Sequence, residues 1–143
     1  MFLKSPAKIN LTLDILKKDP SGYHQIQTVF YEVPELFDEI EITDQAKDIT
    51  IICHHPDVPT DEKNTIYKTI KLLQNFTGIE RGLKIKLKKN IPPGSGLGGG
   101  SSNAATVLKA LNKTNFLNRT HSNYLAKILD SLVSNKGILW KFL

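Results

Sequence analysis

Residues 83–112 read LKIKLKKNIPPGSGLGGGSSNAATVLKALN, and the fold class turns on how this stretch divides. Leu83, Ile85 and Leu87 alternate with lysines, which is the period of a strand with one buried face. Pro92 and Pro93 end that strand. From residue 101 to 112 the spacing becomes helical, with Ser101 or Ser102 as the cap. Between strand and helix lie Gly94, Gly96, Gly98, Gly99 and Gly100, five of the nine glycines in the chain. Glycine reaches backbone angles that let successive N–H groups converge on an anion, and the helix start adds its positive end at the same place. The segment reads as a phosphate cradle.

Toward the N-terminus, residues 7–15 alternate, with Ala7, Ile9, Leu11, Leu13 and Ile15 on one face and Lys8, Asn10, Thr12 and Asp14 on the other. This predicts a half-buried strand. Residues 17–22 predict a turn and 23–33 a second strand, paired with the first as a hairpin. Short strands follow over 37–43 and 48–53. Residues 65–76 place Ile66, Ile70, Leu73 and Phe76 at helical spacing between Asn64 as cap and Gly78 as stop. A third helix is expected over 122–132. A β-rich start followed by helix, strand, helix and helix predicts an α+β domain.

The chain has 143 residues, 40% hydrophobic and 23% charged, the composition of a folded domain. Its net charge of +5 is unevenly spread: residues 1–80 carry 8 Lys and 13 acids, whereas residues 81–129 carry 9 basic residues and no acid. That stretch predicts a positive field and an anionic ligand. Of 19 basic residues only Arg81 and Arg119 are arginine, which argues against nucleic acid as the partner, since base and phosphate readers favour the guanidinium fork. The lysines at 84, 86, 88 and 89 read as a solvated strand face with a general attraction for triphosphate. One cysteine, Cys53, no long apolar run and no signal-like start predict a reducing cytoplasm and no membrane contact. No His, Cys or acid cluster has metal-ligand spacing, so no protein-held metal is expected.

Three kinds of cradle compete. A Walker A loop requires Gly-Lys-Ser/Thr, but Ser101 follows Gly100 directly. A dinucleotide fingerprint is formally met by Gly94, Gly96 and Gly99, but the acid about 20 residues on is missing. The third kind is carried by IPPGSGLGGGSSNAA, which resembles the ATP-binding motif of the GHMP small-molecule kinases. Together with SPAKINLTLDI and GYHQIQTVF near the N-terminus, it resembles the branch that phosphorylates 4-diphosphocytidyl-2-C-methyl-D-erythritol on its 2-hydroxyl, a step of non-mevalonate isoprenoid biosynthesis.

The resemblance implies a GHMP-kinase N-terminal domain over residues 1–130, of ribosomal-protein S5-like topology, with helices on one face of a mixed sheet. It implies ATP and Mg²⁺ as cofactor pair and a small-molecule substrate. It implies Lys8 as the catalytic residue at the acceptor hydroxyl, and Asn10, Tyr23 and His24 as substrate contacts. ATP falls to Pro93, Gly94, Ser95, Gly96, Leu97, Gly98, Gly99, Gly100, Ser101 and Ser102. Asn64 opens a helix resembling one near the nucleotide in that family. The likeness runs from about Lys4 to about Ile128 and then stops: a second catalytic Asp, expected in a G-x-D-V-P-F-F segment, has no counterpart in LDSLVSNKGILWKFL. Residues 131–143 therefore read as a divergent tail, from truncation or frameshift, and weak or absent transfer is expected. The alternative from another class is a non-catalytic nucleotide- or RNA-binding module.

Overall fold

The structure is a computed structural model and describes residues 1–18 and 24–113. Six elements follow in chain order: β1 (Phe2–Lys18), β2 (His24–Gln45), β3 (Ile49–Ile52), α1 (Thr65–Thr77), β4 (Gly82–Lys88) and α2 (Gly99–Lys113). The strands form one sheet in the order β1-β2-β4-β3, antiparallel except for the β3–β4 pair. The α+β expectation holds. The helix expected over 122–132 and the 130/131 boundary lie outside the described residues.

Strand β4 shows why the helices lie on one face. Leu83, Ile85 and Leu87 are buried while Lys86 and Lys88 are exposed. The buried side meets Ile40, Ile42 and Ile51 from the sheet, Ile66, Ile70 and Leu73 from α1, and Val107, Leu108 and Leu111 from α2. Helix α1 is capped as its sequence predicts: Asn64 Oδ1 accepts from Ile66 N at 2.8 Å, and Gly78 closes the helix at φ 67°. Phe76, however, is exposed, and Gln74 is buried with its amide on the Arg81 carbonyl. Continuing the 66/70/73 stripe by one turn leads to Thr77, not to Phe76.

The outer face of the sheet shows where part of that charge goes. Strand β4 runs antiparallel to the acidic end of β2, with Lys88 opposite Glu39 and Lys86 opposite Glu41. Ion pairs follow at 2.7 Å and 3.0 Å, and Arg81 meets Asp44 at 2.5 Å. Three basic residues of the acid-free stretch are thus paired with acids of β2, which weakens the positive field on this face of the sheet.

Strands β1 and β2 are longer than expected. The segments read as 23–33 and 37–43 are one strand, irregular where β1 shifts from Pro6↔Phe37 to Ala7↔Val33. A second shift falls at Leu11, which has no partner between Asn10↔Phe30 and Thr12↔Val29. One extra residue exchanges the faces beyond it. Leu13 and Ile15 therefore share a face with Lys8 and Asn10, whereas Thr12 and Asp14 join Ile9. The half-buried strand over 7–15 is also corrected: Ile9, Leu11, Leu13, Ile15 and Leu16 are all exposed. Among the described residues no helix is long and apolar enough to cross a membrane.

Candidate functional site

A hollow of about 440 Å³ opens between the β1–β2 hairpin and the glycine loop. Its floor is Pro92 to Gly96, Gly98 to Gly100 and Ser101; its wall is Lys8, Asn10, Leu13, Ile26 and Phe30; Thr65 and Lys89 complete it. Gly94, Gly96 and Gly98 take φ of 74°, 78° and 74°. These left-handed angles are costly for any other residue and turn the loop around the hollow. Helix α2 starts at Gly99, two residues earlier than the sequence predicts, so the unbonded N–H groups of its first turn face this loop. Gly99 is required for a different reason: a Cβ there would lie 2.9 Å from Lys89 Nζ and 3.0 Å from Ile91 Cγ2.

Lys89 belongs to a buried polar cluster that sequence reasoning missed. Its side chain is 4% exposed and pairs with Asp38, which is 0% exposed. The other Asp38 oxygen accepts from Asn90 N at 2.8 Å and Ile91 N at 2.9 Å. Asn103 donates to Asp38 Oδ2 at 2.9 Å and to Ser5 Oγ at 3.0 Å, and Ser5 donates to Ser102 Oγ at 2.9 Å. Both ends of the glycine loop are therefore tied to the middle of the sheet. A buried charge survives only when paired and hydrogen-bonded, and here every partner is supplied. The signals in sequence were one acid among three in the 37–43 segment and one lysine among four, neither distinguishable without the fold.

Lys8 is half-buried. Its backbone N–H donates to the Leu97 carbonyl at 2.9 Å, joining strand β1 to the loop. Nζ donates to Asn10 Oδ1 at 2.6 Å and stands 5.3 Å from the Phe30 ring centroid. Burial holds its pKa below the ordinary lysine value of 10.5.

Of the residues singled out from sequence, Lys8, Asn10, Pro93, Gly94, Ser95, Gly96, Gly98, Gly99, Gly100 and Ser101 come together on the hollow. Leu97 meets it only through its carbonyl bond to Lys8, and Ser102 turns to Ser5 instead. His24 is exposed at the first residue of β2, opposite Lys18, and does not line the hollow. Tyr23 lies outside the described residues. Asn64 is occupied as a helix cap and also donates to the Pro59 carbonyl at 2.6 Å. Its neighbour Thr65 is the one that reaches the hollow, donating to the Gly100 carbonyl at 3.2 Å. Leu13, Ile26, Phe30 and Thr65 were not read as site residues. Leu13 was hidden by the bulge at Leu11, and the other three by ordinary strand or helix-start patterns.

The family described as GHMP kinases N terminal domain matches residues 64–136. A Sulfurihydrogenibium protein named 4-diphosphocytidyl-2-C-methyl-D-erythritol kinase is 46% identical over 124 residues, 87% of this chain and 42% of that protein. A Geobacillus protein of the same name is 46% identical over 79% of this chain and 39% of its own length. The chain spans about two fifths of the length of these relatives. A crystal structure of 4-(cytidine 5'-diphospho)-2C-methyl-D-erythritol kinase superposes with a TM-score of 0.72 at 30% identity, covering 92% of this chain and 46% of that one. Homoserine kinase from Cytophaga hutchinsonii follows with a TM-score of 0.65 at 25% identity, covering 92% and 40%.

Proposed function

Because the chain belongs to the GHMP kinases, we propose that its hollow takes ATP on the glycine loop and 4-diphosphocytidyl-2-C-methyl-D-erythritol beside Lys8, so that the γ-phosphoryl group passes to the 2-hydroxyl. One observation carries this reading: the positive-φ loop and the Lys8–Asn10 pair open onto the same hollow and are joined by the Lys8 N to Leu97 O bond. Phosphoryl transfer asks a protein mainly for positioning and for charge against the transferring group. The loop N–H groups and the start of α2 receive the phosphates. Ser101 adds a hydroxyl at the floor. The Lys8 ammonium steadies negative charge between the acceptor oxygen and the phosphoryl group.

Magnesium fits less well as a protein-held ion. No carboxylate lines the hollow among the described residues, and Asp38 is committed to Lys89 and the backbone. The metal would enter on the nucleotide's phosphates, where it would neutralise part of their charge. The single cysteine supports placing the reaction in a reducing cytoplasm. The test is equilibrium binding of MgATP to the wild-type chain and to Gly98→Val. A β-branched residue at φ 74° is strained and fills space over the loop, so the variant is expected to lose binding by at least roughly tenfold. Equal affinity in both proteins would move the nucleotide elsewhere.

A further inference from the structure

We propose that Thr28 is a positioning residue for Lys8, acting through the side-chain amide of Asn10. This rests on the reading of Lys8 given above and extends it to a residue to which that reading assigns no role. Asn10 Nδ2 donates to Thr28 Oγ1 at 2.8 Å, and the Thr28 hydroxyl donates in turn to the Thr12 carbonyl.

The direction of each bond is forced. An ammonium can only donate, so Asn10 must present Oδ1 to Lys8. Its Nδ2 then faces Thr28, whose oxygen accepts and whose proton must go onward. Thr12 supplies the acceptor because the ladder is interrupted next to it, at the unpaired Leu11. There Val29 N–H bonds to Thr12 Oγ1 at 3.1 Å, and the Thr12 carbonyl takes the Thr28 hydroxyl. Each link has one polarity, so the chain from Thr12 to Lys8 holds the amide in one of its two orientations. Without the Thr28 hydroxyl, Nδ2 loses its acceptor and the amide is held on that side by nothing, so the Oδ1 bond to the ammonium is less well aligned.

Two charged groups among the described residues stand near Lys8. Glu32 lies opposite Lys8 in the β1–β2 register and is exposed. Lys89, across the hollow, has its charge held by Asp38. The ring of Phe30 also stands against Nζ, at 5.3 Å to its centroid.

The experiment is competitive acetylation of the full chain with trace acetic anhydride across pH, reading the Lys8 peptide by mass spectrometry. It needs no turnover. An acceptor bond on the ammonium favours the charged form, while burial opposes it. Thr28→Val is therefore expected to move the Lys8 midpoint down by roughly half a pH unit. Thr28→Ser, which keeps the hydroxyl, should restore it. Asn10→Ala should produce the same fall, and adding Thr28→Val to it should produce no more. General loosening or unfolding moves Lys8 the opposite way, up to the ordinary lysine value. No movement, an upward movement, or additive falls in the double variant each overturn the proposal. The same labelling with MgATP present tests the nucleotide reading separately. Wild-type Lys8 left unprotected by MgATP, with the Thr28 pattern intact, removes ATP from the hollow and leaves the Thr28–Asn10–Lys8 linkage supported.

Discussion

The two long strands behave differently along their own length. At the base of the hairpin, Leu3 to Ala7 pair with Val33 to Ile40 beneath α2, and Ser5, Ala7, Asp38 and Ile40 are buried. In the arm, Ile9 to Lys18 pair with His24 to Tyr31, and five apolar side chains of β1 stay exposed. Both halves have good strand formers, and each pairs with β2 through a ladder broken by register shifts. What separates them is a covering layer, present over the base and absent over the arm among the described residues. The base holds the loop in place. The arm contributes Asn10, Leu13, Ile26 and Phe30 to the wall of the hollow. Stability and site geometry are therefore carried by different ends of one hairpin, with Lys8 at the junction.

The largest effect is expected at the base. Asp38→Ala leaves the Lys89 ammonium buried without its carboxylate and frees the Asn90 and Ile91 N–H groups. Breaking such a pair costs about 3–5 kcal/mol. Urea unfolding should show that loss, and a change below about 1 kcal/mol would mean that the cluster does not hold the base.

A matched pair of truncations sharpens the contrast. Ile40→Ala, at 1% exposure in the base, is expected to cost about 2–5 kcal/mol. Leu13→Ala, 54% exposed on the arm, should stay within about 0.5 kcal/mol yet widen the hollow. Similar losses at both positions, measured by the same unfolding curves, would break the division between base and arm.

The smallest effect concerns the junction. The folded chain holds the Lys8 pKa below its unfolded value, so the folded state binds this proton less well. At neutral pH the charge opposes folding slightly. Stability should rise as pH climbs from the lowered value toward the ordinary lysine range. Lys8→Met is therefore expected to raise the thermal midpoint a little while weakening MgATP, and its advantage over wild type should shrink as pH rises. A lower midpoint at neutral pH would show that the Lys8 charge supports the fold.

Much of this was legible in the sequence because it depends on local chemistry. The period-two run at 83–87, the Asn64 and Gly78 helix boundaries and the strand–glycine loop–helix order all arise from backbone sterics and short-range periodicity. The loop glycines, with PAKIN near the N-terminus, also carried the family. Three things were decided only by the tertiary structure. The extra residue at Leu11 reverses which side chains face the hollow, and no alternation pattern records an unpaired residue. The antiparallel register of β2 and β4 sets Glu39 and Glu41 against Lys88 and Lys86, pairing charges that the chain order keeps far apart. The anchoring of the loop joins Ser5, Asp38, Lys89 and Asn103, four polar residues spread over 99 positions. Each is an ordinary surface residue by type, and becomes a necessity only where folding removes water and leaves the others as partners.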